Sequence, residues 1–445
     1  MRLKFNNIGI IKEADILING LTVLAGVNDT GKSTVGKLLY SLIKVSNNYV
    51  SVLKLNQKDE VIRIIENIVG LPLEINYQKK QKLRSEELRE EKSEIDNATK
   101  IFDELPLYGQ KSKSISYKWV IDLVNEYAVK VGLDINGVEF KAYTSDLKNI
   151  FDVDKNSIKV QSAAFDLMIK EEFTDQICKV NGNKLSNIKL EDNGYNSVDI
   201  DLLHNETSNI SAMKSSLTSD VTYIESPLQI RENVWKDNGS NENSRIYLKS
   251  HQDDLLDKLS KSDTGTENIL QEIERKDKIK TFENMIAHII GGEFNYKEGK
   301  KNFIYTRNGN EFRLKNTATG IKVFAIIKLL LNSGSLKKNS ILIIDEPEVH
   351  LHPQWQMDYA ELLVMMVKEL GIKVLVNSHS PYMIEAFKVY SDHHGIADAT
   401  NFYMMKRAED YSEVKCANDC LGEIFTELSE PFSKLDTIEV NDFVK

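Results

Sequence analysis

Cysteine is scarce. Cys178, Cys416 and Cys420 are an odd number with no CxxC pair, which argues against a disulfide framework or a zinc ribbon. Reduced thiols are expected, in keeping with a cytosolic setting. His393-His394 precede Cys416 and Cys420 without matched ligand spacing, so zinc is not expected. No apolar run approaches the roughly 18 residues of a membrane helix, and Met1-Arg-Leu-Lys-Phe5 enters a strand pattern without a signal-like core. A cytoplasmic protein with no membrane partner is the expectation. Basic charge is not in excess either: the net charge of −10 excludes a surface basic all over, though not a local groove. The densely charged stretch Gln78 to Ala98 lacks a sustained apolar heptad, so it predicts no long coiled coil. What remains is a globular composition, 41% hydrophobic and 28% charged, over 445 residues, enough for two or three domains or one large one with insertions.

The stretch around which the chain is organised is Gly26-Val-Asn-Asp-Thr-Gly31-Lys32-Ser33-Thr34. It follows the apolar run Leu21–Ala25 and precedes a segment with Leu38, Leu39, Leu42 and Ile43 at helical spacing, so strand, loop and helix meet there. This is the setting of a phosphate-binding loop. Gly26 and Gly31 let successive backbone N–H groups turn inward on an anion, and the new helix adds its positive end. Lys32 would reach the β- and γ-phosphates and the Ser33 hydroxyl would sit on Mg²⁺, while Asn28 and Thr34 complete the candidate nucleotide contacts. The plainer reading is a turn between strand and helix.

A second informative stretch is Ser340-Ile-Leu-Ile-Ile-Asp345-Glu346-Pro-Glu348. Its apolar run predicts a buried parallel strand that delivers two carboxylates at its C-terminal edge, where open α/β sheets bind ligands. Asp345 is placed to hold Mg²⁺, directly or through water, and Glu346 to polarise an attacking water, because phosphoryl transfer depends on positioning and charge neutralisation. Taken alone, the stretch could equally be a buried strand ending in solvated acids. Lys373-Val-Leu-Val-Asn377 repeats the buried-strand pattern and ends at Ser378-His379-Ser380, which puts His379 within reach of the γ-phosphate or the water, with a structural histidine as the bland alternative.

Around these motifs, strands are expected at Leu3–Phe5, Ala14–Ile18 and Leu21–Ala25, with turns at Asn6-Asn7 and Asn19-Gly20. The first helix is expected to end near Asn47-Asn48. Beyond it lie helices at Val61–Val69, Trp119–Val131 and Gln161–Cys178, then an irregular tail over Ser197–Ser219. A strand at Val221–Ile224, a helix at Ile269–Ile290, a meander turning at Asn308-Gly309 and a helix at Val323–Leu331 follow. A strand pair, Phe402–Lys406 with Glu413–Cys416, and a helix from Leu421 to Leu435 close the chain.

Taken together, the phosphate loop, the Asp345-Glu346 strand end, the run Glu348-Val-His350-Leu-His352-Pro353 and the Ser378-His379-Ser380 turn resemble the Walker A, Walker B, D-loop and H-loop of ABC-type ATPase heads of the SMC and OLD group. The phrases Asn316-Thr-Ala-Thr-Gly-Ile-Lys322, Glu346–Pro353 and Ser378-His-Ser-Pro-Tyr382 are most similar to small OLD-like ATPases of bacterial antiphage defence, of the Septu PtuA type. The resemblance implies an α/β P-loop head with a mixed central sheet, an antiparallel β subdomain and a mostly helical insertion. Gly31 and Asp345 stand about 310 residues apart, well beyond one ordinary domain. Residues 1–50 are therefore expected to carry the N-terminal part of the head, 51–218 the insertion and 219–445 the C-terminal part. The resemblance places a signature segment at Thr317–Lys322, with Thr319 where serine is usual and Gly320 beside it. A helix N-cap by Thr317 or Thr319 is compatible with that role. Gln229 is the candidate Q-loop residue.

The resemblance further implies an ATP-hydrolysing head that needs Mg²⁺ and pairs face to face as a homodimer or higher oligomer, with Glu346 and His379 catalytic. Such a head would control a separate nuclease or effector subunit. A DNA-repair or DNA-tethering ATPase is the alternative, using the basic segment Glu293–Lys338, with 10 basic and 3 acidic residues, on phosphate backbones. A transporter ATPase is disfavoured by the long insertion. An OLD-type Toprim nuclease domain is not expected in residues 381–445, where no acidic cluster of nuclease type follows His379.

Overall fold

Leu21–Ala25 is buried along its whole length as strand β3, and the strands before it alternate, as half-buried strands must: β1 (Arg2–Ile8) and β2 (Ile11–Leu17) pair antiparallel, Phe5 opposite Ala14. The turn between them falls at Gly9-Ile10 rather than at Asn6-Asn7, because both asparagines stay in β1 and Asn6 Oδ1 accepts a hydrogen bond from Asn187 N. The computed structural model describes residues 1–69, 117–130, 136–151, 158–178, 185–214, 218, 220–226, 248–260, 269–297, 302–313 and 316–430. The chain divides into two units. One comprises Met1–Asn47, Phe165–Asn238 and Lys249–Lys445, the other Asn48–Ala164 and Gly239–Leu248.

Helix α1 (Lys32–Val69) follows the phosphate loop and contains the unit boundary. It does not stop at Asn47-Asn48, since the Asn47 side chain donates outward to the Thr218 carbonyl at 3.0 Å instead of capping the helix. It also absorbs the separate helix expected at 61–69. In the second unit, α2 (Tyr117–Lys130) packs against α3 (Val138–Phe151), with Val124, Ala128, Phe140 and Leu147 buried. Helix α4 (Ile158–Phe173) begins in that unit and ends in the first. The charged stretch 78–98 and Gln229 lie outside the described residues.

The irregular tail expected over Ser197–Ser219 is mostly strand. β4 (Ser186–Asp192), β5 (Tyr195–Leu203) and β6 (Glu206–Met213) extend the main sheet antiparallel from β1. After them come β7 (Val221–Ile224), α5 (His251–Ser260), α6 (Ile269–Ile290) and the small antiparallel sheet of β8 (Glu293–Lys297), β9 (Asn302–Arg307) and β10 (Asn310–Arg313). The chain continues through α7 (Thr319–Asn332), β11 (Ile341–Asp345), a 3-10 turn (Pro347–His350), α8 (Pro353–Leu370), β12 (Lys373–Ser378), α9 (Pro381–His394), β13 (Thr400–Arg407), β14 (Ser412–Cys416) and α10 (421–430).

The main sheet has 11 strands in the order β6-β5-β4-β1-β2-β14-β13-β3-β12-β11-β7. From β13 to β7 every neighbouring pair is parallel, while the β6-to-β2 end is antiparallel, so the sheet is mixed, as expected. The parallel part carries near-continuous apolar strands because both faces are covered. One face is covered by α7, apolar nearly all round, with Phe324 edge-on to Trp355 and Tyr359 at ring-centroid distances of 5.7 and 5.3 Å. Among the described residues no helix is long and apolar enough to cross a membrane.

Candidate nucleotide site

The parallel strands set the site by position. β3, β12 and β11 are neighbours, so the loop after β3, the turn after β12 and the acids ending β11 emerge side by side at the C-terminal edge. The loop lies close under β13: a Cβ on Gly26 would stand 2.3 Å from the Met405 carbonyl oxygen, and Gly26 N donates to the Ser378 carbonyl at 3.3 Å. Gly31 has φ +91°, a conformation suited to glycine, and it releases the chain into α1 at Lys32. Asn28 is exposed, Ser33 is half-buried in the first turn of α1, and the Thr34 side chain lies beside Gly9.

Lys32 is buried with its ammonium folded into the loop, donating to the carbonyls of Gly26 and Val27, each at 2.9 Å. Its Nζ is 3.9 Å from Glu346 Oε1. Burial pulls the ammonium below its ordinary pKa against the opposing pull of Glu346, Asp345 and Glu348. The loop lysine and both carboxylates of the 345–346 pair, widely separated in sequence, thus meet at one place.

Asp345 is buried, and both of its oxygens are held: Oδ2 accepts from the Tyr223 hydroxyl and Oδ1 from Asn377 Nδ2, each at 3.0 Å. Glu346 leaves the sheet in a left-handed conformation, φ 43° and ψ 53°, which turns its carboxylate toward Lys32 and His379. His379 Nδ1 stands 3.5 Å from Glu346 Oε1 and 3.1 Å from Glu348 Oε1. Sequence reasoning assigned Glu348 no role at the site, yet it is buried, and its Oε1 accepts from Ser378 Oγ at 2.9 Å and from His379 N at 2.6 Å. The ion contact with Glu348 raises the His379 pKa against its partial burial. Burial would raise Glu348 in turn, but the His379 side chain and backbone outweigh it and leave the carboxyl below its ordinary value. Arg407 and Tyr223, also without an assigned role, complete the surroundings. Arg407 pairs with the Asp29 carboxylate and donates to the Asp29 carbonyl at 2.9 Å, bracing the loop, whereas burial pushes the Tyr223 hydroxyl well above its ordinary pKa.

The Thr319–Gly320 segment opens α7, but not as a side-chain cap. The N-cap is Ala318, whose methyl side chain cannot cap, and the Thr317 hydroxyl before it donates back to the Arg313 carbonyl at 3.1 Å. Gly320 packs against the Trp355 ring and the His350 carbonyl, so the start of α7 lies beside the turn that follows Glu346.

A protein-family model described as an AAA ATPase domain matches residues 1–384. The chain belongs to this AAA ATPase family. The Old nuclease of Escherichia phage P2 is 42% identical over 55 residues, which are 12% of this chain and 9% of the nuclease, so the chain spans a small part of that relative. The SMC head domain from Thermotoga maritima is 10% identical, with 93% of this chain and 97% of that one covered at a TM-score of 0.36. The Smc head with an extended coiled coil from Pyrococcus furiosus, bound to the C-terminal domain of ScpA, is 10% identical, with 95% and 98% covered at a TM-score of 0.33.

The side chains fit the nucleotide and Mg²⁺ that an AAA ATPase domain implies. Gly26 and Gly31 let the loop pack directly on Met405 and Ile11 where a Cβ would collide, and beside Asp345 and His379 the Asn377 Oδ1 and Glu348 Oε2 atoms are buried with no hydrogen-bond partner among the described residues. Among the described residues no group of three or more His, Cys, Asp and Glu could hold a metal. Mg²⁺ suits such a place, because it is ordinarily held by one or two protein oxygens, water and substrate phosphates. Asp345 and Ser33 are the residues that would hold it.

Proposed function

We propose that this chain is an ATP-hydrolysing subunit that works as a nucleotide-driven dimer switch, controlling a partner nuclease or effector in bacterial antiphage defence. The observation that carries the reading is the meeting of Lys32, Asp345, Glu346 and His379 at one sheet edge. The loop amides and the Lys32 ammonium would bind the triphosphate, with Asn28 and Thr34 at the loop's flanks. Bound Mg²⁺ would neutralise charge between the phosphates. Glu346 would orient the attacking water and take its proton, while His379, held by Glu348, would keep a positive imidazole edge toward the γ-phosphate. Thr319 and Gly320 of a second chain would close on the nucleotide, offering a helix N-terminus to the anion. Pairing then depends on nucleotide, and hydrolysis releases it.

An alternative reading, a DNA-binding ATPase of maintenance or repair, draws on the small sheet, where Arg307 and Arg313 are exposed. E346Q separates the two and tests the core. With ATP and Mg²⁺ the variant should accumulate as a dimer in light scattering while hydrolysis falls by about 10²-fold or more. Unchanged turnover would remove Glu346 from its role. Capture of a co-encoded nuclease by the trapped dimer favours the defence reading, whereas a DNA affinity that falls steeply with salt favours the other.

A further inference from the structure

Asp345 is gripped from both sides by the strands next to it. β11 lies between β7 and β12, and Asp345 is in register with Asn377 of β12 while Ile343 is in register with Tyr223 of β7. Asn377 therefore reaches across the ladder to Oδ1, and Tyr223, two residues behind on the other side, reaches forward to Oδ2. Both donors are fully buried, with a relative exposure of 0%.

The Tyr223 ring is itself fixed. One side rests on Gly36 of α1, where a Cβ would come within 3.3 Å of Tyr223 Cζ. Against the ring lies the imidazole of His251, at a centroid distance of 4.6 Å. That imidazole is held by Glu172, which takes hydrogen bonds from His251 N at 2.6 Å and Nδ1 at 2.7 Å, and by Glu225 at Nε2, 3.2 Å away. A chain of contacts thus runs from the last turn of α4 through α5 and β7 to the carboxylate.

We propose that Tyr223 and Asn377 are paired positioning residues that aim Asp345 at a divalent cation, with the Glu172–His251 pair locking the tyrosine. The inference rests on the reading of Asp345 as the metal-holding carboxylate. The physical reason is that a carboxylate with one lone pair on each oxygen tied down keeps a single orientation, and loss of such outer partners ordinarily weakens metal binding by about 10–100-fold.

The test measures binding of a fluorescent ATP analogue to the full chain, with EDTA and across a Mg²⁺ titration, for wild type, D345N, Y223F and N377L. Y223F keeps the ring and N377L keeps the volume. In either variant the Mg²⁺ concentration for half-maximal effect should rise about tenfold or more, with the EDTA affinity staying within about twofold. A purely structural role would instead weaken both conditions together, and that result overturns the proposal. So does a Mg²⁺ midpoint equal to wild type in a folded Y223F or N377L. If wild type shows no Mg²⁺ effect, or D345N retains it, the reading of Asp345 itself fails and the inference falls with it.

Discussion

His251 is buried to 3% exposure between two carboxylates, and its titration gives a sharp test of how this region is held. Burial alone would lower its pKa, but the hydrogen bonds its ring donates to Glu172 and Glu225 outweigh burial and raise it from 6.5 to about 9. At about 1.4 kcal/mol per unit that rise corresponds to roughly 3 kcal/mol, an upper figure for the favourable charge interaction. Because the folded-state pKa is the higher one, this stability is fully present below pH 6.5. It declines above that and is lost as pH rises through about 9. Glu225 is pulled down from 4.5 to about 2 chiefly by the same His251 contact, so its share is present above pH 4.5, lost toward pH 2, and must not be added again. The useful perturbation is the double variant E172Q/H251Q, since H251Q alone would leave the buried Glu172 carboxylate uncompensated and add its own pH dependence. Melting temperatures of wild type and the double variant are compared from pH 6 to pH 10, so that other titrations common to both cancel. Wild type should be several degrees more stable at pH 6, with the gap narrowing steadily to pH 9.5. A gap that stays flat across that range would show that the imidazole is neutral in the folded protein and would refute the reasoning.

Two further substitutions test the loop and the histidine. G26A should cost about 1–3 kcal/mol of stability and weaken nucleotide binding by about tenfold or more, because its Cβ would stand 2.3 Å from a backbone oxygen that cannot swing away; calorimetric titration with ATP would show it. E348Q should move the His379 titration down toward the ordinary histidine range, since the main raising contact is gone, and the pH profile of ATP turnover should shift to lower pH on its alkaline side.

Much of this site was legible from the sequence because its parts sit at strand ends. The apolar runs before Gly26, Asp345 and Ser378 are strongly patterned, and each emerges where expected. Local patterns failed where distant contacts decided. β5 has Val198, Ile200 and Leu202 buried in strict alternation, but Asp199 and Asp201 between them, unfavourable in strands, disguised the period. Asn47-Asn48 reads as a helix stop, yet the Asn47 amide finds its partner 171 residues away and α1 runs on. Glu348, Tyr223 and Asn377 were visible as residues but not as parts of the site, because their partners lie on other strands or turns, at separations that no local window spans.

The 345–346 pair shows how two neighbouring carboxylates are given different orientations and partners by the backbone. Asp345 is the last residue of β11, so its side chain obeys the pleat and points at the donors of the flanking strands. Pro347 disfavours the right-handed helical region for the residue before it, and Glu346 takes the left-handed one instead. That conformation costs on the order of 1 kcal/mol or more for a residue other than glycine or asparagine. It is held by Glu346 N donating to the Asn377 carbonyl at 2.9 Å and by Val349 N donating to the Glu346 carbonyl at 3.2 Å. The consequence is a carboxylate swung out of the sheet, toward Lys32 and His379, one residue after a carboxylate locked into it. The metal-holding and water-orienting roles proposed for the pair need different directions and different freedom of movement. Here the proline, the final ladder bond and the short 3-10 turn supply that difference, so the same functional group at adjacent positions reaches two separate sets of partners.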